Sequence, residues 1–302
     1  MTQIFEGGTT LSKTASLKIV TDSAADLLPD EIEALGITIV PLYIQFPDGE
    51  VSAEDISPDT FYDRLQAMWP EIPTTAMPSP GMFAEIYREV AQAGKEILSI
   101  HISSGLSGTI EAARLGAEQA GVDVTLVDTR TLSGGERFQV LAAALAAKAG
   151  WSKEAILKRL ERIRAATEVI YTLETLEYLA RGGRIGRVQA LLGSLLKIKP
   201  VIKVDKADGK YSTVGQGRTL RRTLRMIVDH LAQLYEPETP LWLSVMHGQF
   251  GEQAENLAQL LRERLQVAKL EVLRISPVLG VHTGPGIVGV TALPMALMEG
   301  LG

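Results

Sequence analysis

The residues best suited to chemistry in this 302-residue chain are hydroxyls and glycines gathered into a few turns, with a histidine in one of them. The stretch HISSGLSGT (101–109) crowds Ser103, Ser104, Ser107 and Thr109 around Gly105 and Gly108, between an apolar run and a helical pattern. Such a turn exposes backbone N–H groups at a helix start, where the helix dipole adds partial positive charge, so it favours an anion. A phosphate loop needs a lysine before its last hydroxyl, and a nucleophile elbow needs a glycine two places after the serine. Gly105-Leu106-Ser107-Gly108-Thr109 has neither. Serines that cap helix N–H groups account for these residues equally well when taken alone.

Three further segments carry polar chemistry. PTTAMPSPG (73–81) places Thr74, Thr75 and Ser79 before a helical pattern, as a capped helix start does. VHTGPGIVG (281–289) reads as a loop in which His282 stands among glycines that allow close approach of a ligand. ARGGRIG (180–186) sets Arg181 and Arg184 about a glycine pair, and arginine grips carboxylates bidentately. A structural turn and a surface helix cap are the competing accounts of the last two. Arg218, Arg221, Arg222 and Arg225 follow mostly helical spacing, which suits a solvated face or an acidic partner. Asp22, Asp128 and Asp205 fall near strand ends without metal-ligand spacing, so no metal is assigned.

The elements that must position these groups alternate in type. LKIVTDSA ends a strand at Asp22, and ITIVPLYIQF forms a second strand region with its turn at PDGE. Ser57-Pro58 and Ser79-Pro80 each open a helix. Strands separated by helices of this length predict βαβ units and a parallel sheet, whose ligands gather beyond the C-terminal strand ends. After residue 165 the texture changes, and KVDKADGKYSTVGQ predicts a hairpin with Asp208-Gly209 as a two-residue turn.

Composition narrows the classes. Hydrophobic residues at 46% and charged residues at 22% describe a globular chain. A net charge of -6 argues against a general nucleic-acid binder. The absence of cysteine removes thiol nucleophiles and thiolate metal sites. No apolar run reaches membrane-spanning length, and residues 1–16 do not read as a signal peptide, so a cytoplasmic location is expected without stable membrane insertion.

In chain order, IVTDSAADL, TTAMPSPG, SSGLSGT, LEYLARGGRI and HTGPG resemble the DegV family of bacterial fatty acid-binding proteins, over about residues 17–298. The resemblance implies an α/β, DegV-like two-domain fold. A tail (1–16) would precede an N-terminal parallel-sheet domain (17–165) and a mixed α/β C-terminal domain (166–302), with lipid between the domains. It implies that Thr75 and Ser107 hydroxyls, the Gly108 N–H, Arg184 and His282 hold the carboxylate of a long-chain fatty acid such as palmitate, stearate or oleate. The tail of the lipid would contribute about 0.8 kcal/mol per buried CH₂. No cofactor is implied, and the protein would be a carrier rather than an enzyme. It would present the acid to a separate ATP-binding fatty acid kinase subunit, which makes acyl phosphate for phospholipid synthesis. The four arginines at 218, 221, 222 and 225 would then be candidates for docking that subunit.

Two stretches depart from the family pattern. Thr75-Ala76-Met77-Pro78 stands where the family commonly has Thr-Ser-Gln-Pro, and DTRTLSGGERF (128–138) is unusual. A serine hydrolase acting on acyl esters through Ser107 and His282 is the enzyme alternative, which requires a carboxylate behind the histidine and an oxyanion hole. A kinase subunit in its own right would need a nucleotide-binding motif, and none is visible.

Overall fold

A computed structural model describes residues 17–92, 96–194 and 198–301, so the expected tail at 1–16 lies outside the described residues. From its start come β1 (Lys18–Asp22), α1 (Pro29–Leu35), β2 (Thr38–Val40), β3 (Tyr43–Phe46), β4 (Gly49–Ser52), α2 (Pro58–Ala67) and β5 (Thr74–Ala76). Next are α3 (Pro80–Ala91), β6 (Ile97–His101), α4 (Thr109–Ala120), β7 (Val124–Asp128), α5 (Gly134–Lys148) and α6 (Lys153–Ala166). The remainder comprises β8 (Glu168–Leu173), α7 (Glu177–Arg181), a 3-10 segment (Gly186–Ser194), β9 (Lys199–Val204) and β10 (Tyr211–Gly217). It closes with α8 (Leu220–Leu234), β11 (Leu241–His247), α9 (Gly251–Arg264), β12 (Val267–Arg274), α10 (Pro277–Thr283) and β13 (Ile287–Pro294).

The expected parallel sheet is present, in the order β2-β1-β6-β7. The second strand region splits at Pro41-Leu42. β2 stays in that sheet, whereas β3 joins an antiparallel sheet ordered β4-β3-β5. Proline has no N–H to donate, and the ladder ends just before it. The C-terminal sheet runs β10-β9-β8-β13-β11-β12 and is antiparallel except for the β11–β12 pair. The whole is an α/β fold.

The predicted two-residue turn at Asp208-Gly209 is longer in the structure. Val204 pairs with Tyr211, leaving Asp205 to Lys210 as a six-residue connection. Tertiary contacts shape it: Ser103 Oγ donates to Gly209 O (2.9 Å) and Arg130 donates to Ala207 O (2.9 Å). Both predicted helix starts hold. Ser57 Oγ accepts from Thr60 N–H and Ser79 Oγ from Met82 N–H, each at 3.2 Å and each followed by proline.

Helix α5 lies between the two larger sheets. Its Phe138, Leu141 and Ala144 pack with Leu98 and Ile100 of β6, and with Trp242 and Leu293 of β11 and β13. Its start approaches the C-terminal sheet so closely that a Cβ on Gly134 would stand 2.6 Å from Thr291 Oγ1, which explains the unusual glycine pair. One turn on, Arg137 is buried and paired with both Glu31 and Glu271. Removing both carboxylates would leave the buried guanidinium uncompensated, at a cost of about 3–5 kcal/mol. The outer faces of the sheets are covered by α3 and α4 on one side and by α8 and α9 on the other.

Candidate functional site

Strand ends meet the second sheet across an apolar cavity. With its open mouth it holds about 830 Å³ of space unfilled by protein atoms. Ala24, Leu42 and Ile102 line it from beyond the ends of β1, β2 and β6, the position at which parallel sheets collect ligands. Val169 and Tyr171 of β8, Met246 of β11, and Ile287 and Thr291 of β13 form the facing wall. Strand alternation sets this wall, because Val245 and Val288 turn instead to the core under α8 and α9.

The polar end is built by α10, β5, the turn before α4 and the segment after α7. Proline at position 277 opens α10, which ends at Gly284. His282 therefore sits in the last turn of a helix, not in a loop as its glycine-rich neighbourhood suggested. The start of α10 is held by Asp26, whose carboxylate accepts from Ser276 N–H (2.9 Å) and from Ser133 Oγ (2.5 Å). At its other end, His282 Nε2 lies 2.9 Å from Thr75 Oγ1, which β5 presents by pairing with β3. No Cβ could be added at Gly182 without striking His282 Nδ1, so glycine there lets the imidazole seat fully. Nδ1 is buried without a hydrogen-bond partner among the described residues.

Burial, reinforced by the Arg184 charge, pushes the His282 imidazole down to about 4. At neutral pH it is an uncharged partner of Thr75. In the Nε2–H tautomer the ring donates to Thr75 Oγ1, and the threonine O–H is free to donate a hydrogen bond to an anion.

Ser107 lines the same cavity, and its Oγ also accepts from Thr109 N–H (3.2 Å) and meets Thr109 Oγ1 at 2.8 Å. The capping and site readings of this serine are thus compatible. Arg184 is exposed, donates to Gly182 O (2.8 Å) and reaches the cavity lining, placing positive charge at the polar end. Gly108 is the N-cap of α4 and is not part of the lining, and Met77 Sδ stands 3.0 Å from where a Cβ on it would be. Thr75, Ser107, Arg184 and His282 are therefore brought together, with Gly108 one step behind them.

The hydrolase arrangement is not formed. Ser107 bonds Thr109 rather than His282, and among the described residues no carboxylate orients His282. A serine–histidine–aspartate chain does exist elsewhere: Ser99 Oγ to His101 Nε2 (2.7 Å) and His101 Nδ1 to Asp22 (2.9 Å). All three side chains are fully buried, and Ser99 is further tied to Tyr87 OH (2.8 Å). That chain fixes the β1 and β6 ends, since Asp22 also accepts from Ala24 and Ile102 N–H.

Arg218, Arg221, Arg222 and Arg225 are exposed. The last three lie on α8, across the six-stranded sheet from the cavity, while Arg218 precedes the Thr219 cap. Among the described residues, no group of three or more His, Asp or Glu could hold a metal ion, and no helix is long and apolar enough to cross a membrane.

Sequence positions alone did not single out Tyr171, Tyr211, Met246 and Ile275 as cavity walls. Their signal is only the alternation common to any core strand.

The family model described as "Uncharacterised protein, DegV family" matches residues 16–295. A DegV domain-containing protein of Deinococcus radiodurans is 37% identical over 281 residues, covering 93% of this chain and 96% of its own. Among solved structures, a DegV family protein from Thermus thermophilus described by its fatty acid binding superposes with a TM-score of 0.86 at 34% identity, covering 92% of this chain and 99% of its own. A fatty acid (stearic acid)-binding protein from Eubacterium ventriosum gives 0.84 at 26% identity, covering 92% and 98%.

Proposed function

This chain belongs to the DegV family, and on that footing we propose that it binds a long-chain fatty acid with its carboxylate at Thr75, Ser107, Arg184 and His282. The observation that carries the reading is one cavity, apolar along its walls, whose polar end gathers two hydroxyls, a neutral imidazole and a guanidinium. The acyl chain lies along the wall of β8, β11 and β13. The carboxylate accepts a hydrogen bond from the Thr75 hydroxyl while His282 backs that hydroxyl, with Gly108 N–H nearby. Arg184 supplies the countercharge at the mouth. The seam between the parts spanning 17–165 and 166–302 is where the lipid enters.

Binding rather than catalysis follows from the donor set, which offers an anion hydrogen bonds but gives a serine no base. Titration of delipidated protein with palmitate tests this. Thr75→Ala removes one bond to a charged group and should weaken affinity by about tenfold or more. Unchanged affinity in Thr75→Ala would contradict the placement.

The finer role is that of a cytoplasmic carrier presenting its lipid to an ATP-binding kinase subunit for acyl phosphate formation. Arg218, Arg221, Arg222 and Arg225 are the docking candidates, on a face remote from the lipid, so docking and lipid affinity should separate by mutation.

A further inference from the structure

Two tyrosines interrupt the aliphatic wall of the cavity. Tyr171 on β8 and Tyr211 on β10 stand edge-on, with ring centroids 6.0 Å apart and planes at 82°. Alternation along β8 turns Tyr171 to the cavity side with Val169 and Leu173. Its hydroxyl is sealed from solvent and leans toward that of Tyr211, and among the described residues it forms no hydrogen bond of normal geometry. Leaving a buried O–H unpaired is costly, and the cost disappears when a partner arrives. Burial pushes both phenols above their ordinary range, so at neutral pH each is an O–H donor and not an anion. A plain saturated chain passing this spot offers no oxygen. Tyr211 lines the cavity together with Arg184, and the 3-10 segment that follows Arg184 packs on β10, which puts the pair toward the head-group end of the cavity.

We propose that the preferred ligand is a long-chain acid bearing a hydroxyl within a few carbons of its carboxylate, and that Tyr171 is the residue that selects it. The proposal rests on the reading of this cavity as a fatty acid site. A hydroxyl at that depth satisfies the Tyr171 O–H, whereas one at the far end of the chain meets only aliphatic walls.

The test uses the delipidated full chain and four probes: palmitate, 2-hydroxypalmitate, 3-hydroxypalmitate and 16-hydroxypalmitate. Wild type should bind the 2- or the 3-hydroxy acid about tenfold more tightly than palmitate, with no gain for the 16-hydroxy acid. Tyr171→Phe should bring the favoured hydroxy acid to parity with palmitate, read as the ratio of the two affinities measured in the variant itself. The proposal is overturned if wild type shows no preference, or if Tyr171→Phe retains it. The wild-type comparison decides even if the variant folds poorly. Failure of palmitate and every hydroxy acid to bind would instead overturn the fatty acid reading itself, and this proposal with it.

Discussion

Replacing His282 by glutamine should change how the stability of the lipid-free protein depends on pH. Burial first, then the Arg184 charge, holds the imidazole at about 4 in the fold against an ordinary 6.5. Between those values the unfolded chain takes up a proton that the folded chain refuses. Stability from this group is therefore complete above pH 6.5 and declines as pH falls toward 4. The interval corresponds to roughly 3 kcal/mol. Glutamine keeps an amide able to reach Thr75 but cannot titrate. Denaturant unfolding at pH 7, 6, 5 and 4 gives the difference between wild type and variant, in which the other titrating groups largely cancel. Wild type should lose about 3 kcal/mol relative to His282→Gln between pH 7 and 4. A difference that stays flat across this range refutes the buried, neutral imidazole.

Asp26 should show the opposite slope. Its carboxyl is raised by burial to about 6 from 3.8, so the folded chain binds a proton that the unfolded chain releases, and its contribution falls as pH rises through that window. In the same unfolding series, wild type should gain on Asp26→Asn as pH is lowered from 6 to 4, and a slope matching that of His282→Gln contradicts this. Reversing Arg221 and Arg225 to glutamate should slow association with an acidic kinase subunit and weaken its salt dependence, with lipid affinity unchanged. Kinase association that is unaffected would return α8 to a solvated face.

Local signals carried part of the architecture. Ser57-Pro58 and Ser79-Pro80 start helices because a hydroxyl and a fixed φ meet the needs of a first turn whatever surrounds them. The parallel sheet was legible from the spacing of its strands. His282 was misplaced because the glycines after it dominate the local pattern, while the helix that carries it is only seven residues long and opens at Pro277. The turn at Asp208-Gly209 was misjudged because Ser103 and Arg130, over seventy residues away, decide its path. Thr75, Ser107, Arg184 and His282 come from four distant segments, and no periodicity joins them. Motif resemblance pointed to them as a group, and folding supplies the contact between Thr75 and His282. Tyr171 gave no warning, since an aromatic residue at an inward strand position is ordinary core until a cavity is found beside it.

The fatty acid proposed for the cavity between the two sheets can be detected without any added probe. Mass spectrometry of lipid extracted from gently purified protein tests the proposal most directly. A long-chain fatty acid should be present in near-equimolar amount with the chain and be replaceable by added palmitate. A lipid-free preparation that also takes up neither palmitate nor oleate would contradict the proposal.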